Sequence, residues 1–247
     1  MARTRLDTLL VARGLAASRE RARALILAGK VRVDGAVVSK AGTAVSDQAD
    51  IVLIQPDHPY VGRGGIKLAH ALDVFGIDVN RALVLDVGAS TGGFTDVLLR
   101  RGARRVVALD VGHGQLDWRL RNDPRVEVLE RVNARTLTPD QLPRDARQFE
   151  GATMDLSFIS VKQVLPAIVP LVRPGGWVIA LVKPQFEAGR DEVGKGGLVK
   201  DAAVQARVVE EVSSAADDLG LKRRGSVESP ITGTEGNREF FVHFERG

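Results

Sequence analysis

Three aspartates, two lysines, one glutamate and a glycine-rich loop carry the chemical possibilities of this sequence. The loop lies within Leu83 to Leu99, LVLDVGASTGGFTDVLL. An apolar run reaches Asp86, the small residues Gly88, Ser90, Thr91, Gly92 and Gly93 follow, and a helical-looking stretch begins at Phe94. A buried strand that runs through glycines into a helix N-terminus cradles a nucleotide. The glycines let the backbone approach the ligand, and the free N–H groups of the first turn face it. Asp110 and Asp155, like Asp86, fall at the carboxyl ends of apolar runs, and Asp110, 17 residues after Gly93, stands where a nucleotide-binding sheet places the acid that takes ribose hydroxyls. The spacing Gly88-x-x-x-Gly92-Gly93 departs from G-x-G-x-x-G, which argues against a dinucleotide, and no Walker lysine follows the loop. Lys183 closes the apolar run Ala180-Leu181-Val182, Lys67 stands near the start of a helix, and Glu239 opens the last apolar segment. A lysine in a first helical turn opposes the helix dipole, so a carboxylate or bound anion beside it is expected.

A sheet must hold these residues in register. From Leu83 onward the strand-like runs Leu83–Val87, Arg105–Asp110, Val126–Leu129, Gly151–Asp155 and Trp177–Lys183 alternate with helix-like segments at 92–101, 115–121, 161–172 and 202–219. This alternation predicts a doubly wound, mostly parallel α/β sheet with its ligands at the carboxyl strand ends. Two further strands, Arg224–Val227 and Glu239–Phe244, have no helix between them, so an antiparallel end to the sheet is expected. A chain of 247 residues that is 44% hydrophobic can bury a substantial core. The absence of cysteine removes disulfides, thiolate metal sites and thiol nucleophiles, and the four histidines show no ligand spacing, so no metal is expected. Apolar runs stay far below bilayer length and no secretory leader is evident, which predicts a cytoplasmic protein with no membrane partner.

Residues 1–55 have a different character, with nine Lys/Arg against five Asp/Glu, while the remainder balances to neutrality within the net charge of +4. Leu6, Leu9 and Leu10 share a helical face, Ser18 caps a second helix reaching Ala28, and an Asp34-Gly35 turn joins two short strands. Ile51–Ile54 can add a third strand. The stretch RLDTLLVARGLAASRERARALILAGKVRVDGAVVSK closely resembles the alpha-L RNA-binding motif, with Asp34 where that motif usually carries asparagine. The resemblance implies a small α+β RNA-binding domain at 1–55 that lays Arg3, Arg5, Arg19, Arg21 and Arg32 on RNA phosphates. A proline-containing connector at 56–62 then leads to a second domain at 63–247.

The glycine loop resembles the first motif of S-adenosylmethionine-dependent methyltransferases. That likeness implies S-adenosylmethionine as cofactor, held by Asp86, Gly88, Ser90, Thr91, Gly92, Gly93 and Phe94, with Asp110 on the ribose and Asn133 near the adenine. Methylation of a pyrimidine carbon normally needs a cysteine nucleophile, which is absent. Asp155-Leu156-Ser157-Phe158 lacks the two prolines typical of exocyclic-amine methylation. A hydroxyl remains plausible as the target, and it needs a group that removes or loosens its proton. Lys67, Asp155, Lys183 and Glu239 resemble, in order, the tetrad of FtsJ-like ribose 2′-O-methyltransferases. The motifs Gly-Gly-Ile-Lys-Leu and Val-Lys-Pro-Gln-Phe-Glu narrow the resemblance to the TlyA/hemolysin A family. It implies 2′-O-methylation of cytidine in ribosomal RNA, with rRNA or ribosomal subunits as partner and Lys183 either accepting the hydroxyl proton or orienting the hydroxyl. The competing expectations are a non-catalytic ribosome-associated factor and a membrane-active hemolysin.

Overall fold

A computed structural model describes residues 3–16, 18–54, 58–146 and 148–247, and divides the chain into two compact units, Met1–Pro59 and Tyr60–Gly247. Pro56 and Asp57 of the expected connector lie outside the described residues.

The first unit comprises β1 (Arg3–Arg5), α1 (Leu6–Ala12), α2 (Arg19–Leu27), β2 (Val31–Val33), β3 (Ala36–Val37), β4 (Ala44–Ser46) and β5 (Ile51–Leu53). The Ser18 hydroxyl accepts from Arg21 N at the start of α2, satisfying one of the free N–H groups of the first turn. Asp34 and Gly35 both take positive φ, 50° and 81°, the backbone that a two-residue hairpin needs for its strands to twist together. Leu6, Leu10, Ile26, Val31, Val45 and Ile51 close a small core. β5 joins as the third strand by pairing with β2, and a ladder that the sequence pattern does not show runs antiparallel between β1 and β4. Asp7, fully buried at the start of α1, accepts from Arg5 Nη2 at 2.8 Å and Arg19 Nη2 at 3.4 Å. The Arg5 hydrogen bonds hold its carboxyl far below the usual carboxylate range.

The second unit comprises α3 (Gly64–Phe75), β6 (Leu83–Val87), α4 (Gly93–Arg100), β7 (Arg105–Asp110), α5 (Trp118–Arg121), β8 (Val126–Glu130), β9 (Phe149–Met154), α6 (Val161–Ile168), β10 (Val172–Val182), α7 (Pro184–Glu187), α8 (Ala202–Asp217), β11 (Leu221–Glu228) and β12 (Phe240–Arg246). Its strands form one sheet in the order β11-β12-β10-β9-β6-β7-β8. β10, β9, β6, β7 and β8 are parallel, and β12 runs antiparallel to both β10 and β11. The strand pleat sends Leu83, Leu85 and Val87 into one apolar layer and Val84 into the other. α6 and α8 contribute Leu165, Ile168, Val208 and Val212 to the first layer, while α3 and α4 contribute Leu68, Leu72, Val97 and Leu98 to the second.

After β6 the chain builds toward β7 and β8, then returns to β9 and β10 on the other side, so the switch point lies between β6 and β9. Ligands of open α/β sheets sit outside the carboxyl ends at this point. The N-termini of α3 and α4 cross closely there. A Cβ on Gly93 would lie 2.9 Å from Gly65 N and 3.1 Å from Gly64 Cα, with only backbone to give way. Gly93→Ala is therefore expected to destabilise the protein by about 2 kcal/mol, the scale of overpacking in a tight contact. Urea unfolding followed by tryptophan fluorescence measures this, because Trp118 and Trp177 both belong to the second unit.

Candidate active site

Two cavities open at the switch point and share Gly88, Ser90 and Asp155 as a common wall. The first, of about 440 Å³, is lined among others by Asp110, Val111, Asn133, Leu156 and Phe158. The second, of about 310 Å³, holds Lys67, Lys183 and Glu239 together with Arg63, Thr91, Phe94 and Thr234.

The first cavity has the features of a nucleoside cradle. Gly88 takes φ +84°, and a Cβ there would collide with the Asp155 carbonyl oxygen, so only glycine lets the loop turn against the neighbouring strand end. Asp110 is fixed by two backbone donors, Ser90 N to Oδ2 and Gly112 N to Oδ1, each at 2.7 Å. Each oxygen keeps a lone pair for a further donor, as a ribose diol requires. Asn133 accepts from Arg135 N at 3.0 Å through Oδ1, which locks the side chain and leaves its amide N–H groups for the cavity. These residues fit the adenosine part of S-adenosylmethionine.

The second cavity is organised by two ion pairs. Lys67 Nζ lies 2.5 Å from Glu239 Oε2, with Lys67 8% and Glu239 2% exposed. Lys183 Nζ lies 2.6 Å from Asp155 Oδ1 and donates to Ser157 Oγ at 3.1 Å. The carboxylate expected beside Lys67 is thus Glu239, brought from the far end of the chain. Lys183 is held in place by the turn that follows it. Glu187 of α7 accepts from Ser160 Oγ at 2.5 Å and Val161 N at 2.7 Å, pinning α7 to the start of α6. Burial pushes the Glu187 carboxyl up, against these hydrogen bonds.

Other sequence-singled residues fall elsewhere. Gly92 and Gly93 line neither cavity: an added Cβ would meet Leu120 at Gly92 and the α3 backbone at Gly93. Thr91 and Phe94 line the lysine-bearing cavity rather than the nucleoside cradle. Asp86 likewise lines neither cavity. The pleat turns it into the interior, fully buried, where it accepts from Thr95 Oγ1 at 2.6 Å and Thr153 Oγ1 at 2.9 Å. In the first unit Arg5 and Arg19 converge on Asp7, Arg3 lies on β1 and Arg21 on α2, and Arg32 points outward from β2 between Val37 and Val52 of its neighbours. Sequence reading missed Ser157, Arg63, Thr234 and Gly233, whose added Cβ would lie 2.6 Å from Glu239 Oε1. Ser157 stands two residues past Asp155 and was the easiest of these to find.

Fold, cradle and paired lysines together define a methyltransferase that draws on a nucleoside cofactor. The FtsJ-like methyltransferase model matches residues 60–246 and the S4 domain model matches residues 4–51, so the chain belongs to the FtsJ-like methyltransferase family, whose methyl donor is S-adenosylmethionine, and carries an S4 domain. It is 50% identical over 241 residues to the 16S/23S rRNA (cytidine-2′-O)-methyltransferase TlyA of Mycobacterium tuberculosis, covering 97% of this chain and 89% of that protein. It is 40% identical over 240 residues to Hemolysin A of Brachyspira hyodysenteriae, covering 97% and 99%. A solved structure of a protein named only as a putative hemolysin, from Streptococcus thermophilus, superimposes with a TM-score of 0.77 at 42% identity, covering 100% of this chain and 89% of that one. Among the described residues no helix is long and apolar enough to cross a membrane.

Burial pushes the Asp86 carboxyl up to about 6, with the Thr95 and Thr153 hydroxyls pulling the other way. Unfolded, the same group titrates near 3.8. Between these values the folded state binds more protons, so Asp86 stabilises the fold below about pH 4 and loses that contribution as pH rises through 6. The difference amounts to about 3 kcal/mol. Asp86→Asn is expected to abolish this component, so its stability relative to wild type should be better at pH 8 than at pH 4 by roughly that amount. Urea unfolding at the two pH values checks the sign.

Proposed function

We propose that this protein is an S-adenosylmethionine-dependent ribosomal RNA (cytidine-2′-O)-methyltransferase. The observation that carries the proposal is the meeting of two cavities at Asp155, one shaped for a nucleoside and the other walled by two lysine–carboxylate pairs. The TlyA likeness over nearly the whole chain supports ribosomal RNA and cytidine as the substrate. A ribosomal substrate makes the cytoplasm the working compartment.

S-adenosylmethionine, when bound, supplies an electrophilic methyl on a sulfonium. A ribose 2′-hydroxyl entering the lysine-bearing cavity meets Lys183 Nζ, whose position is fixed by Asp155 and Ser157. Lys183 in its neutral form would accept the hydroxyl proton, or as an ammonium paired with Asp155 it would only orient the hydroxyl, in either case directing the oxygen toward the common wall at Asp155. The chemistry the bound cofactor would supply is transfer of that methyl to the hydroxyl oxygen, with the sulfur departing as a neutral thioether. Lys67 and Glu239 hold each other in the opposite wall and set where the ribose rests. The absence of cysteine and of the amine-methylating prolines supports the hydroxyl over the base as target. The S4 unit supplies the grip on RNA: Arg5 and Arg19, tied to buried Asp7, present guanidinium groups already fixed in orientation for phosphate.

Lys183→Ala is expected to reduce methyl transfer by a factor of about 10² to 10⁴, the usual contribution of a positioned proton acceptor. Binding of S-adenosylmethionine should change little. Transfer of tritiated methyl to undermethylated ribosomal subunits, with equilibrium binding of the cofactor measured alongside, tests both. Equal incorporation by the variant would exclude Lys183 from the chemistry.

A further inference from the structure

The segment 188–201 between α7 and α8 reads AGRDEVGKGGLVKD and contains neither helix nor strand, yet buried amides hold it in place. Asn237, 2% exposed, accepts from Val199 N at 2.9 Å and donates Nδ2 to the Gly197 carbonyl at 2.8 Å. Gln205, 4% exposed, donates to the Val199 carbonyl at 2.7 Å. Gly194 N closes the turn on the Leu198 carbonyl at 2.9 Å. A buried amide left without partners is costly, so these bonds strongly favour the docked loop. Asn237 stands two residues before Glu239, and Thr234 on the same connection lines the lysine-bearing cavity. Residues 197–199 are therefore built onto the wall that carries the Glu239 carboxylate.

The docked loop is neutral overall, with Arg190, Lys195 and Lys200 against Asp191, Glu192 and Asp201, but its charges are not all paired. Lys195 and Lys200 flank the tethered residues and are exposed, and among the described residues neither has an ion-pair or hydrogen-bond partner for its ammonium group. Two of the nearby acids are engaged elsewhere: Glu192 pairs with Arg207 at 2.6 Å, and Asp201 caps α8 through Ala203 N at 2.8 Å. A ribose in the cavity brings its own 5′ and 3′ phosphates to the rim, because the sugar is joined to both.

We propose that Lys195 and Lys200 contact RNA backbone phosphates flanking the ribose that enters the Lys67–Glu239 cavity, with Asn237 as the positioning residue that fixes their loop. This rests on the reading of the site as a ribose methyltransferase. Contacts of this kind position the strand without reading bases. They are expected to act on RNA affinity and leave the transfer step unaltered.

The experiment compares full-length wild type, Lys195→Gln/Lys200→Gln, and Lys222→Gln on the exposed edge strand β11 as a control for charge removal. Each loop lysine removed should lower the slope of log affinity against log salt for ribosomal RNA by about 0.7 to 0.9. The double variant should raise KM for RNA about 10-fold while kcat and cofactor affinity stay within about 2-fold, and Lys222→Gln should leave KM unchanged. Asn237→Ser should raise KM similarly, with no further increase when added to the double lysine variant. An unchanged KM and salt slope in the double variant would overturn the phosphate contacts, as would an equal effect of Lys222→Gln. Additive KM effects would overturn the role of Asn237. Wild-type protein that transfers no methyl to a ribose 2′-oxygen would remove the methyltransferase reading itself, an outcome distinct from methylation with an unaltered KM.

Discussion

The buried pair between Lys67 and Glu239 is the constraint on which the second unit depends. The two residues are 172 positions apart, one in the first helix and the other at the mouth of the last strand, and both are almost removed from water. Desolvating two charges is expensive, and the pair offsets that only when the geometry is close. Loss of either partner leaves a buried charge uncompensated, at a cost of about 3–5 kcal/mol. The pair is more a closure condition on the domain than a source of stability. α3 and β12 must both be in place before the lysine-bearing cavity exists.

Three aspartates at the carboxyl ends of adjacent strands do three different things. Asp86 points inward and ties β6 to α4 and β9 through two threonine hydroxyls. Asp110 is held by loop amides and faces the nucleoside cavity. Asp155 stands on the wall between the cavities, paired with Lys183. Similar sequence contexts thus come to face the interior, one cavity, or the wall between two cavities according to the pleat and the switch point. Glu187 extends the pattern: its position in Val-Lys-Pro-Gln-Phe-Glu anchors the turn after Lys183 rather than entering the cavity.

Much of this was legible in the chain because parallel strands place their carboxyl ends in one plane. Residues at the ends of apolar runs, such as Asp155 and Lys183, can therefore be expected to meet before any coordinates exist. The family pattern added Lys67 and Glu239, whose pairing no local spacing reveals. The inward direction of Asp86 is not legible, because the end of an apolar run does not say which face its residue takes; Thr95 and Thr153 hold it inside. Gly92 and Gly93 looked like ligand glycines, yet their small size answers to Leu120 and to the α3 backbone. The β1–β4 ladder is not legible in the sequence because three-residue strands far apart in the chain carry little periodicity. Ser157 and Gly233 matter through contacts that only the assembled sheet creates.

The placement of β12 has a consequence for how the protein comes into being. It is the last strand in the sequence, yet it lies inside the sheet, between β10 and β11. While the chain is being synthesised, β10 has an open edge and β11 has nothing to pair with until residues 240–246 leave the ribosomal tunnel. Glu239 arrives with that same strand. A partly synthesised chain can therefore complete its nucleoside cradle, which lies on the β6–β9 side, well before it can complete the lysine-bearing cavity. Order of synthesis alone thus keeps the lysine-bearing cavity unassembled in a nascent chain until β12 emerges to seal the sheet.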